Sequence, residues 1–236
     1  KFTAIENNCS ADIIITQGNE YSIRVIAPEK YLDNIITKIS SETLYVDIKG
    51  NIFNADELRV EVTVVKLTEI SSHSSGDFEI KGILEGETLD LDMHGSGDFE
   101  GQLNIKDMDI DMHGSGDVEL SGVNGNLSVV QQGSGDFEGE GLHLGNAYFK
   151  MNGSGDNEVS GTAAMMELKQ NGSGDFDGRS FEVKTAKIRK TSSGEADVFI
   201  TEMLDASISG SGDLNIKGRP EISNLNATGS GDIRNL

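Results

Sequence analysis

The sequence predicts an all-β protein: a right-handed parallel β-helix, or solenoid, of about nine coils behind a β-rich N-terminal cap. Three observations carry that prediction. The tripeptide Ser-Gly-Asp, once Ser-Gly-Glu, recurs nine times, with its acidic residue at Asp77, Asp98, Asp117, Asp136, Asp156, Asp175, Glu195, Asp213 and Asp232, in steps of 18 to 21 residues. Apolar residues between the copies alternate with period two, the signature of strands with one buried face. The stretches between Gly, Ser and Asn turns are too short for helices, and the Leu and Asn signature of leucine-rich repeats is missing.

The elements follow in chain order. Residues 1–66 lack the motif, and their alternation marks five strands, at 11–16, 21–27, 35–40, 44–48 and 58–64, with a turn over Gln17-Gly18-Asn19-Glu20. Pro28 opens a stretch suited to one helical turn. An open solenoid end exposes unpaired strand edges, so a divergent segment that caps the first coil has a physical reason. Residues 67–236 are the β-helix proper. Each coil carries an apolar residue just after the motif acid, such as Phe78, Phe99 and Phe137, and pairs such as Leu89/Leu91 and Leu103/Ile105. Three short strands per coil would each pair in parallel with their counterparts one coil on, with right-handed crossovers. Nine coils at about 4.8 Å extend roughly 38 Å. At the motif corner, Gly tolerates positive φ and close backbone approach, while Ser and Asp hydrogen-bond turn amides locally. The last coil has no comparable cap, so an oligomeric partner or further residues are expected to cover its edge.

Composition narrows the function classes. With 40 acidic and 19 basic residues the formal charge is −21, which repels phosphate backbones and anionic lipid and leaves a basic partner open. The single Cys9 allows no internal disulfide and no Cys-based zinc cage. No apolar run is long enough to span a membrane, and the start at Lys1 leads us to expect a trimmed leader.

The run Phe2-Thr3-Ala4-Ile5, the Ile14-Ile15-Thr16-Gln17-Gly18 turn and the Gly-Ser-Gly-Asp coils resemble the family described as putative auto-transporter adhesin, head GIN domain. The resemblance covers nearly the whole chain. It implies a β-helical, exported or cell-surface protein of Gram-negative bacteria, often lipid-anchored through a leader, located in the periplasm, outer membrane or cell surface. It implies no activity and carries over no functional residues.

The chemically distinctive features are two ladders. The nine motif acids form one column, and Glu79, Glu100, Glu119, Glu138, Glu158, Asp177 and Asp197 form a second one two residues on. Stacking like charges about 4.8 Å apart costs on the order of 1 kcal/mol per pair even in water. A cation stripe, with Ca²⁺ as the natural ion for carboxylates, is one reading. Carboxylates bonded to turn amides beside a solvated, salt-screened column is the favoured one, and no cofactor is expected. The calcium-binding nonapeptide pattern is absent. Four residues before the acids, His73, His94 and His113 precede Gln132, Asn152, Asn171, Thr191, Ser209 and Thr228. Three stacked imidazoles could meet a Zn²⁺ or Cu²⁺ ion, but continuation as Gln, Asn and Thr favours a structural polar ladder. His143 is out of register. Nine equivalent Ser residues argue against a nucleophile, because catalysis needs one Ser set apart by a base and an oxyanion hole. Without a following Lys the motif is no phosphate loop.

The sequence therefore points to a non-enzymatic envelope or surface protein, an adhesive or structural scaffold for a protein or glycan partner, with a homo-oligomer as a further option. The alternatives are a polysaccharide lyase or hydrolase on a β-helix, or a metal-binding solenoid. Near-constant coil length and the lack of Trp leave no cleft walls or sugar platforms for the enzyme.

Overall fold

Backbone hydrogen bonds between successive copies of the repeat organise the molecule. The computed structural model describes residues 1–50, 52 and 57–236; the part of the N-terminal segment at 51 and 53–56 lies outside them. Among the described residues seventeen strands join one hydrogen-bonded sheet wound into a solenoid of about nine turns. The all-β prediction holds.

The N-terminal strands are β1 (Ala4–Asn7), β2 (Asp12–Gln17), β3 (Ser22–Ile26), β4 (Ile35–Ser40), β5 (Thr43–Ile48), β6 (Arg59–Val64) and β7 (Glu69–Ser72). A 3-10 turn over Glu29–Asn34 follows Pro28. β1 pairs in parallel with both β5 and β7, and β2 with both β6 and the first coil strand. The pair β1 and β2 therefore lies between β5 and β6 on one side and the solenoid on the other, out of chain order. β3 and β4 run antiparallel along the outer edge, on β6 and β5. That arrangement occupies the donors and acceptors an open end would expose.

The coils are β8 (Phe78–Met93), β9 (Phe99–Met112), β10 (Val118–Gln131), β11 (Phe137–Met151), β12 (Asn157–Gln170), β13 (Phe176–Lys190) and β14 (Ala196–Ile208), followed by β15 (Leu214–Lys217), β16 (Glu221–Ala227) and β17 (Ile233–Asn235). Here the expectation of three separate short strands needs correction. Each coil from β8 to β14 is one bent strand of 13 to 16 residues, whose pairing with the neighbouring coil slips in register at the bends. The corners appear as slips in burial phase. In β9 the buried positions run Phe99, Gly101, Leu103, Ile105 and then Met108, Ile110, Met112, with Lys106 and Asp107 both turned outward.

The third corner is Gly-Ser-Gly-Asp, and its glycines are explained by one of the two expected causes. None of them has positive φ. Both are required by close approach: a Cβ on Gly116 would collide with the Gly97 carbonyl, and one on Gly114 with the Gly95 carbonyl, one coil below. Ser115 N–H donates to Gly95 O at 3.0 Å and Ser134 N–H to Gly114 O at 3.0 Å, so the corner is itself a ladder. Positive φ belongs to a different corner, as at Gly122 (87°) and Gly161 (121°).

Inside, the column after the motif acids stacks Phe78, Phe99, Val118 and Phe137, and Phe149 packs against Phe137, Phe176 and Phe181. Two polar intrusions stand out. Asn157 is 1% exposed with no hydrogen-bond partner for either side-chain polar atom. Lys190 is fully buried where other coils place Met93, Met112, Gln131, Met151 and Gln170. Gln131 and Gln170 donate to Gly135 O and Gly174 O at 2.5 and 2.7 Å, and the Lys190 ammonium likewise donates to Gly194 O and, at 2.9 Å, to Ser192 Oγ.

Two predictions follow from this packing. Gly116→Ala should destabilise the fold by about 3 kcal/mol or more, since backbone on both sides would have to move. Gly145→Ala, whose Cβ would meet nothing closer than 3.5 Å, should change the melting temperature little. Burial holds the Lys190 amine below its ordinary range, against the pull of Asp175, Asp213 and Glu195. The unfolded chain then binds more protons than the folded one between the folded value and the ordinary value of about 10.4, so stability rises with pH in that alkaline window. In urea melts Lys190→Gln should abolish that rise while keeping the donor to Gly194 O; an unchanged slope would assign it elsewhere.

Candidate functional site

The acidic column takes its geometry from the corner. Asp117 N–H donates to Asp98 Oδ1 at 2.8 Å, Asp136 N–H to Asp117 Oδ1 at 2.7 Å, and Asp156 N–H to Asp136 Oδ1 at 2.7 Å. The series begins with Asp77 N–H on Asp12 Oδ1 and Asp98 N–H on Asp77 Oδ1, and continues through Asp175, Glu195 and Asp232. From Asp12 through Asp175, and again at Asp213, the carboxylate thus accepts the amide of the next coil, not a local turn amide as the sequence led us to expect. Glu195 interrupts the chain, as its longer side chain makes no such bond to Asp213. Charge-assisted bonds of this kind are stronger than neutral ones and offset the repulsion between stacked carboxylates.

The second column stacks in register, Glu79 on Glu100, Glu119, Glu138, Glu158 and Asp177. Cations flank its two ends. Lys81 pairs with Glu79, and Arg179 pairs with Asp177 and lies 3.6 Å from Asp197, holding the Asp177 carboxyl below its usual range. At the centre, burial and then the neighbours Glu119, Glu158 and Glu140 push Glu138 up.

The His residues stack as a ladder: His73 on His94 with centroids 5.2 Å apart, and His94 on His113 at 4.6 Å with nearly parallel ring planes. The ladder continues in hydrogen bonds. Asn171 Nδ2 donates to Asn152 Oδ1 at 3.0 Å, and Thr191 Oγ1 to Asn171 Oδ1 at 2.8 Å. His143 lies elsewhere, 3.3 Å from Thr162 Oγ1. Among the described residues no set of three or more His, Cys, Asp or Glu side chains is placed to hold one metal ion, in either acidic column or in the His ladder.

A different face departs from the repeat. It carries the outward residues six and eight before each motif acid, stacked in register. The first column reads Ser71, which is buried, then Asp92, Asp111, Val130, Lys150, Lys169, Arg189, Ser207, Asn226; the second reads Glu69, Asp90, Asp109, Ser128, Tyr148, Glu167, Lys187, Asp205, Asn224. Over the first seven coils the face passes from acidic to basic, with an uncharged coil between, and its last two coils carry Asp205 as their one charge. Asp90, Asp109 and Asp111 form no ion pair with Lys or Arg among the described residues, and burial followed by Asp109 and Asp92 pushes the Asp90 carboxyl up. On the basic half, Lys169 lies 5.0 Å over the Tyr148 ring and 3.2 Å from Glu167. Arg189 pairs with Asp205 at 2.9 Å, and Arg189 and Asn224 together hold Asp205 down at about 2.

A groove of about 600 Å³ crosses this face, lined by Leu127, Ala147, Tyr148, Met165, Glu167 and Lys187 among others. Met165 is 55% exposed. None of these residues is among the sequence-derived candidates. The signal that finds them is positional: aligning coils on the motif acid shows the columns at six and eight before it changing chemistry coil by coil.

Asp117 gives a direct check on the ladder. Asp117→Asn keeps an acceptor for the Asp136 amide and should leave stability nearly unchanged, whereas Asp117→Ala should cost about 1–3 kcal/mol in denaturant melts. Equal effects from both would remove the amide bond from the account.

Comparison with known proteins adds family and fold. The family model described as putative auto-transporter adhesin, head GIN domain, matches residues 1–159 and 145–220. Solved structures with the same fold include a putative adhesin from Parabacteroides merdae, at 20% identity and a TM-score of 0.68, covering all of this chain and 92% of that one. A putative lipid binding protein from Parabacteroides distasonis shares 23% identity with a TM-score of 0.63, covering 100% and 92%. A putative adhesin from Bacteroides fragilis shares 21% with a TM-score of 0.57, covering 100% and 93%. Among curated proteins none matches.

Proposed function

The chain belongs to the family of putative auto-transporter adhesins with a head GIN domain, and from that membership we propose that it is a non-enzymatic binding scaffold of the bacterial envelope whose contact surface is the polarised, grooved face. One observation carries the reading. Copying a repeat explains every column whose chemistry stays constant, and it does not explain a face that alternates Asp, Val, Tyr, Met and Lys around a groove. The groove offers what recognition surfaces combine: apolar area in Met165 over a floor of buried Leu127 and Ala147, an aromatic handle in Tyr148, and charges at its rim.

The family description and the names of the structural neighbours fit binding, not turnover. A partner protein or glycan at the cell envelope suits the surface, and export suits a family described as auto-transporter adhesins. No helix among the described residues is long and apolar enough to cross a membrane.

The reading is tested by presenting the purified chain to a glycan array and to a panel of envelope proteins. Binding is expected, and Tyr148→Ala combined with Lys187→Glu should reduce it at least about tenfold, while Asp98→Asn with Glu119→Gln on the acidic columns should leave it intact. Binding that follows the acidic columns instead would move the contact surface to the opposite side.

A further inference from the structure

We propose that the partner of the polarised face is a second copy of this chain, docked face to face with its solenoid axis reversed. The inference rests on the reading of that face as the contact surface. Its argument is one of symmetry. In a two-fold dimer the same patch meets itself, so the patch must be complementary to its own rotated image.

The column six before the motif acids has that property. Read along the axis it runs Asp92, Asp111, Val130, Lys150, Lys169, each stacked on the next in register. A two-fold axis parallel to the strands and passing over Val130 inverts the coil order. It sets Asp111 against Lys150 of the other copy, Asp92 against Lys169, and Val130 against itself. The same operation brings Glu69 opposite Lys187 and Asp109 opposite Tyr148. Glu167, already held by Lys169 at 3.2 Å, is the one carboxylate that falls opposite another, Asp90.

At the centre of the patch the charges are available: neither Lys150 nor Asp111 has an ion-pair partner among the described residues, while further out Asp92 lies 3.3 Å from His94 and Lys169 3.2 Å from Glu167. An axis along the solenoid would instead set like charges against like, so electrostatics selects one of the two face-to-face arrangements.

The patch also sets the strength. Five residues along the strand and about seven coils along the axis give roughly 17 by 34 Å, or about 1,100 Å² buried over both copies, the low end for a specific interface. The dimer is accordingly transient and salt-sensitive, and it becomes populated where copies are concentrated on a surface.

Sedimentation equilibrium of the whole chain tests this, from about 1 μM to about 1 mM protein, at low and high salt. The expected result is a monomer–dimer equilibrium that weakens as salt rises. Asp92→Lys with Asp111→Lys, and separately Lys150→Asp with Lys169→Asp, should each abolish self-association. Mixing the two variants should restore a heterodimer, which also proves both folded. Val130→Lys, which puts like charges on the axis, should weaken the dimer at least about tenfold. A wild type that stays monomeric throughout, or a dimer indifferent to Val130→Lys and to the charge reversals, overturns the proposal. A monomeric wild type that still binds a glycan or envelope protein through Tyr148 and Lys187 would remove self-pairing and leave the binding face standing. If that binding is also absent, both readings fall.

Discussion

The constraint on which the rest of the structure depends is the approach of one backbone to another at the Gly-Ser-Gly-Asp corner. Sheet spacing fixes the distance between coils, and at this corner the carbonyl of each glycine points at the α-carbon of its counterpart. No side chain fits at the second glycine, which recurs in every coil, and the first is glycine in all but the two coils that place Ser74 and Ser192 there. Once those positions are held, the serine amides complete a ladder and the following apolar residues turn inward in one stacked column. The core is then a consequence of the corner, since its register is set before any side chain packs.

The corner also accounts for much of the charge. Each motif Asp holds the amide of its successor, which binds neighbouring coils together and spreads a row of carboxylates along the axis. The −21 of the whole chain is thus partly a by-product of construction. Against that uniform background the informative positions are the exceptions. Lys150, Lys169, Lys187 and Arg189 are four of only 19 basic residues, and all lie on three successive coils of one face.

The architecture was legible in the sequence because a short repeat states its own register: Leu89 over Met108 over Leu127 follows from counting back from each motif acid. β1 and β7 were not legible. Both are only four residues long and bury polar side chains, Asn7 and Ser72, which hides the alternation. Nor does spacing reveal that the coil of β1 and β2 is flanked by strands from residues 43 and 69 onward, because that placement depends on contacts far apart in the chain. His73, His94 and His113 stack where the repeat register places them, and Asn and Thr continue the same column in hydrogen bonds. The partner of the motif carboxylates was misjudged, as local turn bonding and bonding to the next coil share one sequence pattern. Asn157 in the Phe column has no physical account in its surroundings.

The position of the β1–β2 coil has a consequence for how the molecule assembles. That coil precedes both of its neighbours in the chain and is fully paired only once β5, β6, β7 and the start of β8 are in place, which ties these strands into a single unit. Beyond it, every coil meets a finished template about 19 residues back, which keeps loop-closure costs small and uniform. With β3 and β4 along its outer rim, this unit offers later coils one template to extend, at the edge away from that rim.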